Sequence, residues 1–410
     1  FMWAVHVCSV HVCVCVCVMY VYMDNSATTA VKQEVLDQMM PIFTEIYGNP
    51  SSIHQAGQIA RVYVDKARMQ VASLLNASLD EIYFTAGGSE SDNWALKGVA
   101  EKYRKKGNHI ITTKIEHHAI LHTCEYLEKQ GYEVTYLDVD EYGVVDLEQL
   151  KKSITDQTIL ISVMFANNEI GTIQPIEEIG KIAKERKILF HTDAVQAIGN
   201  VDIDVHKLNI DMLSMSGHKI HAPKGIGVLY IRKGLILPNL IHGGAQERKR
   251  RAGTENVPGI VGLGKACEIA EQRMESHIAH CTKLRDRLIE KVTQKIPYTL
   301  VTGSLEHRLP GLASFCFKYI EGEALLLSLD MKGIAGSSGS ACTSGSLDPS
   351  HVLMALGLKH EIAHGSLRLS LSDFNTEEEV DYVVEELAVI VQRLRNMSPL
   401  YDEVLKGENK

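Results

Sequence analysis

The chain predicts an α/β fold in which a mostly parallel seven-stranded sheet is covered by helices on both faces and followed by a smaller α+β domain. Three observations carry that expectation. Between Ile82 and Ile231 short apolar runs alternate with amphipathic helical patterns, the rhythm of a parallel sheet. At 410 residues the chain exceeds one average domain, with 45% hydrophobic and 23% charged residues, an ordinary globular balance. The rhythm then changes after Tyr298, beyond one long helical pattern.

Taken in order, Phe1 to Tyr22 carries no Lys, Arg, Asp or Glu and is mostly Val and Cys. Its alternation from Val12 to Val18 has the two-residue period of a strand, with no positive region before it and no small-residue cleavage site after it. Residues 1–18 are therefore expected to be a non-native or disordered extension, with Met19 or Met23 as a start, and 19–32 a segment packing with the small domain. Apolar residues at helical spacing through Val35, Leu36, Met39 and Met40 predict a helix that ends before Gly48-Asn-Pro50, and a second spans Gln55 to Leu75. Strands are expected at Ile82–Thr85, His109–Thr113, Glu133–Leu137, Ile159–Phe165, Ile188–Thr192, Met212–Met215 and Val228–Ile231. Helices fill the gaps at Asn93–Lys105, Ala119–Gln130, Leu147–Ile154 and Ile176–Glu185. A long helix from Gly259 to Lys295 crosses the boundary between a large domain (33–275) and a small one (276–410). The last helix is expected at Glu377–Asn396, and the tail from Pro399 is expected to fray.

Charge and cysteine usage exclude whole classes of function. A formal net charge of -9 argues against a nucleic-acid surface, which needs clustered excess Lys and Arg; the one basic run, Arg248 to Arg251, is short and flanked by Glu247 and Glu255. Four of the nine cysteines lie in the first eighteen residues. The other five are scattered, which is no disulfide framework and points to a reducing, cytoplasmic compartment. The alternate N-terminal cysteines lack zinc-knuckle spacing, so no metal site is expected, and no membrane association is expected either.

In open parallel sheets ligands bind beyond the carboxyl ends of the strands. Five of the first six strand ends carry polar or ionisable groups. The turn Ala86 to Ser91 follows the first strand and opens a helix, presenting N–H groups to an anion. His117 follows the second, Asn168 the fourth, Asp193 with Gln196 the fifth, and Ser216, His218 and Lys219 the sixth. A phosphate cradle, an imidazole, a carboxylate for a protonated ring nitrogen and an amine able to form a Schiff base are together the specification of a pyridoxal phosphate site.

The motifs carry a resemblance as well. DNSATT at 24–29, YGNPSS at 47–52, TAGGSESDN at 85–93, EHHA at 116–119, NNEIGTIQP at 167–175, HTDAVQ at 191–196, SGHKIHAPKGIG at 216–227, HGGAQE at 242–247, RAGTENV at 251–257 and SSGSACTSG at 337–345 are one set. The chain resembles the class V aminotransferase-type, fold type I pyridoxal phosphate enzymes, and among them the cysteine desulfurases of the NifS/IscS kind. The resemblance implies that Lys219 holds the cofactor, Asp193 pairs with its ring nitrogen, Gln196 bonds the ring hydroxyl and His117 stacks on the ring and shuttles protons. Gly88, Ser89, Ser216 and His218 would hold the phosphate, joined by Thr254 from a neighbouring subunit of a homodimer. Asn168 and Arg368 would bind the substrate carboxylate, for which a guanidinium fork is suited. Ala86 stands where the family has a hydroxyl, which removes a side-chain contact there.

Cys342 lies in the most Gly- and Ser-rich segment of the chain, where a thiol is poorly placed for burial; Cys124 and Cys267, within helical patterns, read as small core hydrophobes. The expected reaction is removal of sulfur from L-cysteine, giving L-alanine and a persulfide on Cys342. The persulfide would pass to an acceptor, an iron–sulfur scaffold or a tRNA-thiolating enzyme. The alternatives are a selenocysteine lyase or a class V small-amino-acid aminotransferase.

Overall fold

The computed structural model describes residues 2–5, 8–9, 12–13, 16–338 and 349–408, and side chains over 19–338 and 349–403. Cys342 therefore lies outside the described residues. Contacts divide the chain into two compact units, one of Thr28–Asn168 and Thr172–Glu275, the other of residues through Ala27, Glu169–Gly171 and Ser276–Lys410.

The larger unit is built on seven strands: β1 Ile82–Thr85, β2 His109–Thr113, β3 Glu133–Leu137, β4 Thr158–Ser162, β5 Leu189–Asp193, β6 Met212–Ser216 and β7 Gly227–Ile231. Their order is β1-β7-β6-β5-β4-β2-β3, with β7 antiparallel to both neighbours and the remaining pairs parallel. The reversal at β7 follows from chain length. Only residues 217–226 separate it from β6, too few for the crossover a parallel return requires. β2, β4, β6 and β7 are buried at every position, so both faces of the sheet are covered. On one face the helices Gly88–Tyr103 and His118–Glu128 press Trp94, Leu96, Val99, Ile120 and Leu127 against Ile110, Leu160, Met212 and Leu229. Each such side chain contributes about 1.5–3 kcal/mol of burial.

Differences from the sequence reading are local and bear on the site. The helix after β1 starts at Gly88 rather than Asn93, because the Ser91 N–H closes a first turn onto the Gly87 carbonyl (3.2 Å). β4 stops at Ser162, and β5 runs through Asp193, which is thus the last residue of a strand instead of the first beyond one.

The smaller unit holds an antiparallel sheet ordered Thr299–Val301, Leu312–Phe317, Ser366–Ser370. Phe315, Phe317, Leu367 and Leu369 from its strands pack with Val383 and Leu387 of the helix Glu377–Arg395, which begins at a Thr376/Glu379 capping box. Val21–Tyr22 pairs in parallel with Ile334–Ala335. The segment expected to join this unit as 19–32 divides after Ala27, because Thr29 and Lys32 are hydrogen-bonded to residues 218 and 221 of the larger unit. Near the N-terminus Met2–Val5 pairs antiparallel with Val16–Met19, in keeping with the two-residue alternation. The tail does not fray as expected. Pro399–Glu408 is helical and Tyr401, 7% exposed, packs edge-on against Tyr298 with ring centroids 6.2 Å apart. No helix among the described residues is long and apolar enough to cross a membrane.

Candidate active site

The six parallel strands of the larger unit end at one edge, and neighbouring strands stand about 4.8 Å apart. Thr85, Gly227 and Ser216 lie opposite one another across β1, β7 and β6. A Cβ on Gly227 would meet the Gly87 Cα and the Met215 carbonyl oxygen, both at 2.6 Å, so the missing side chain lets the turn after β1 fold over β7. Gly87 has φ 156°, a conformation that favours glycine, and a Cβ on Gly88 would strike Val195 Cγ2 at 2.7 Å. The result is a side-chain-free hollow at the start of a 16-residue helix, with Ser216 beside it. Glu90 folds back to accept the Ala86 N–H (2.9 Å) and is held in turn by the Arg251 guanidinium (2.8 and 3.1 Å).

Lys219 closes a short 3-10 turn, Gly217–Lys219, directly after β6. The turn is fixed from outside: the Thr29 N–H (3.0 Å) and hydroxyl (2.9 Å) both donate to the His218 carbonyl, and Thr28 Oγ1 lies 3.2 Å from His218 Nδ1. His221 takes φ 65° next to it and donates from Nδ1 to the Ala30 carbonyl (2.9 Å). Lys219 is partly buried, whereas Lys224 is exposed.

The electrostatics tie Lys219 to the neighbouring strand ends. Burial pushes the Asp193 carboxyl up to about 6, opposed by the Val195 N–H (2.9 Å) and by the Lys219 ammonium. Asp92, fully enclosed, is pushed well above the carboxylate range by burial and then by Asp193. His117 is held below the usual imidazole range by burial, Lys219 and His122. Its Nδ1 accepts the Ala119 N–H (3.1 Å), so the neutral ring carries its proton on Nε2. His218 is pushed down to about 4 by burial, Lys219 and Lys224.

Of the expected residues, Lys219, Asp193, His117, Gly88, Ser216 and His218 thus share one edge of one sheet. Ser89 is exposed on the first helical turn, Gln196 is buried just past Asp193, and Asn168 is partly buried beyond β4. Thr254 is exposed and lines a cavity of about 230 Å³ with Thr85, Ala86 and Arg251 of its own chain. Arg368 belongs to the smaller unit, where it is 3% exposed and donates to Asp24 Oδ1 (2.9 Å). Glu169 lies there too, accepting from the Ser350 hydroxyl, and burial pushes it up to about 7. Cys124, Cys267, Cys281 and Cys316 are all buried and take part in no disulfide.

Several residues at the site carry no assignment from sequence. Thr28 and Thr29 sit in a quoted motif, but only the fold shows that they pin the Lys219 turn. Beneath the strand ends His191 bonds Ser162 Oγ (2.9 Å) and Ser214 Oγ (3.0 Å) through its two nitrogens, with Asp92 Oδ1 3.7 Å away. Glu116 accepts from the Thr113 hydroxyl (2.8 Å) and the Met164 N–H (2.9 Å), and burial pushes it up to about 8. For His191 the available signal was a polar residue inside an apolar strand.

These residues fit pyridoxal phosphate. The hollow at Gly87–Gly88 would take a phosphate, the Asp193 carboxylate would hold a ring cation that offsets its burial, and Lys219 offers the amine.

Residues 21–383 match the family described as Aminotransferase class-V, and the chain belongs to that family. Within it, the chain is 62% identical over 380 residues to the cysteine desulfurase IscS of Methanosarcina thermophila, covering 93% of this chain and 94% of the relative. It is 59% identical over 392 residues to the cysteine desulfurase IscS of Clostridium botulinum, covering 95% and 99%. Among solved structures, a NifS-like protein superposes with a TM-score of 0.87 at 44% identity, covering 92% of this chain and all of the other.

Proposed function

We propose that the chain is a pyridoxal-phosphate-dependent cysteine desulfurase, which converts L-cysteine to L-alanine and leaves the sulfur as a persulfide on Cys342. The observation that carries the reading is the placement of Lys219, Asp193 and His117 at one sheet edge beside a glycine-lined hollow, in a chain close to known cysteine desulfurases over nearly its whole length. When bound, the cofactor supplies an electron-withdrawing ring that acidifies the substrate Cα. Lys219 would hold the cofactor and move the Cα proton. Asp193, whose carboxylate is opposed by burial, would hold the proton of the ring nitrogen, and Gln196 would bond the ring hydroxyl. His117, neutral with its Nε2–H directed away from the Ala119 N–H, would stack on the ring and, once Nδ1 leaves that N–H, take part in proton transfer. Gly88, Ser89, Ser216 and His218 bind the phosphate, and Asn168 and Arg368 the substrate carboxylate, Asp24 fixing the guanidinium plane. The Cys342 thiolate attacks the substrate sulfur, the Cβ–S bond breaks with its electron pair on carbon, and a proton on that carbon completes alanine.

The working form is a homodimer in the cytoplasm, with Thr254 reaching the neighbouring subunit's phosphate. Leu36, Met40 and Phe43, exposed at 39%, 54% and 55% on one stripe of the helix Gln33–Thr44, suit burial against a second copy. The sulfur acceptor is an iron–sulfur scaffold or a tRNA-thiolating enzyme. The test is alanine release from L-cysteine by the wild type, Cys342→Ala and Lys219→Ala. Cys342→Ala is expected to keep the cofactor's visible band and lose alanine; Lys219→Ala should lose the band of the lysine-bound form. Alanine at the wild-type rate from Cys342→Ala, or keto-acid as the main product of the wild type, refutes the reading.

A further inference from the structure

One cluster of metal-ligating side chains lies in the smaller unit and takes no part in the chemistry above. His277 and Cys281 are four residues apart on the long helix Val257–Lys295, so they share a face. Asp373 approaches them from the turn that follows strand Ser366–Ser370, and it is in direct contact with His277 Nδ1. One donor atom from each of the three falls within 4.8 Å of the others.

The scaffold around these donors is stiff. Cys281 is fully buried, which fixes one donor. Asp373 rides on a turn whose ends are buried and cross-bonded, Ser372 N–H to Asn375 Oδ1 (2.9 Å) and Asn375 N–H to the Ser372 carbonyl (3.1 Å). The side chains of His277 and Asp373 remain 17% and 28% exposed, leaving an entry path and room for a water ligand. Cys281 Sγ lies 3.7 Å from His277 Nδ1 and 3.9 Å from Nε2. A tetrahedral zinc ion, with bonds of about 2.3 Å to sulfur and 2.0 Å to nitrogen, separates those donors by about 3.5 Å. Both observed distances are close to that separation.

We propose that His277, Cys281 and Asp373 form a divalent-metal site of the zinc class, with water in the fourth position. One thiolate, one imidazole and one carboxylate form a mixed donor set suited to zinc rather than to magnesium or calcium, which prefer oxygen alone. Binding forms the metal–sulfur bond and releases the Cys281 proton to solvent. The site joins the long helix to the end of the strand that carries Arg368, so its occupancy stiffens that corner of the unit.

The test uses the full-length holoenzyme, stripped with a chelator and titrated with Zn2+ or Co2+ alone. The wild type is expected to retain one equivalent of zinc more than Cys281→Ser. With Co2+ it should show tetrahedral d–d bands to the red of the cofactor's absorption that are lost in both Cys281→Ser and His277→Gln. Cys342→Ser must keep the Cys281-dependent bands, which separates this site from the loop thiol; cofactor absorbance reports that each variant is folded. Asp373→Asn, at the surface, should weaken Co2+ binding at least tenfold and serves if Cys281→Ser fails to fold. Equal zinc in wild type and Cys281→Ser, or bands indifferent to His277 and Asp373, overturns the site and leaves the three groups as a hydrogen-bonded strut. Metal content and Co2+ bands are read without turnover, so the outcome is independent of the desulfurase reading.

Discussion

Removing the positive partner of Glu247 should loosen the segment that carries Thr254. Arg68 and Glu247, each 4% exposed, form a two-pronged pair at 2.9 and 2.9 Å, and Glu247 also accepts the Phe84 N–H of β1 (3.0 Å). Arg68 donates as well to the Ile82 carbonyl (2.7 Å) and lies 4.6 Å from the Phe84 ring centre. The pair works against strain, since Glu247, Arg248 and Lys249 all have positive φ, at 44°, 56° and 66°. Each such residue costs about 1 kcal/mol or more. Breaking one side of a buried pair costs about 3–5 kcal/mol, because the remaining charge is stranded. Arg68→Met should therefore open residues 243–254 locally, raising amide exchange there by about 10² to several 10³-fold at roughly 1.4 kcal/mol per tenfold. Arg68→Met with Glu247→Leu removes the stranded charge and should recover most of the loss. About 1–3 kcal/mol should remain for the unsatisfied Phe84 N–H. Hydrogen exchange read by mass spectrometry on the peptide spanning 243–254 checks both. Unchanged exchange in the single variant, or a double variant worse than the single, would falsify the clamp.

Glu116, raised from 4.5 to about 8 by burial, binds its proton more tightly folded than unfolded, so stability falls as pH rises from about 4.5 to 8. Glu116→Gln keeps the acceptor for Thr113 and Met164 and should remove that slope, gaining about 3 kcal/mol at pH 7 and nothing near pH 4; parallel melting curves at both pH values would contradict it. Gly227→Ala should harm cofactor retention more than Gly88→Ala. The first drives a methyl into backbone atoms of Gly87 and Met215, the second only into a Val195 methyl that can shift. Cofactor absorbance after dialysis ranks the two, and the reverse order would be inconsistent with the packing.

Seven strands in nearly the expected places, and the strand ends that bear Lys219, Asp193 and His117, were legible because apolar runs and turn chemistry are local signals. What was not legible is long-range. Thr28 and Thr29 reach the Lys219 turn across 189 to 190 residues of chain, and Glu247 reaches Arg68 across 179. Nothing local marks such partners. His277 and Cys281 share a helix face but carry no assignment from sequence, because Asp373, some ninety residues on, completes the cluster only in the fold.

The charges at the site were the least legible feature, since a residue's type fixes which proton it can hold and its surroundings fix whether it holds it. Seven ionisable groups meet at or below this sheet edge: Asp92, Asp193, Glu116, His117, His191, His218 and Lys219. Burial raises the three carboxyls and lowers the three imidazoles, so every one of those six is pushed towards its neutral form. Only Asp193 has both a backbone N–H and the Lys219 ammonium opposing that drift, which is why its carboxyl stops at about 6 while Glu116 reaches about 8. Near neutral pH these seven groups therefore resolve to one carboxylate, Asp193, beside one amine, Lys219, with the Glu90–Arg251 pair as a separate, self-compensated charge at the turn after β1. A cofactor with a cationic ring nitrogen and an aldehyde is complementary to Asp193 and Lys219, and a second ionised carboxylate at Asp92 or Glu116 would compete for the same cation.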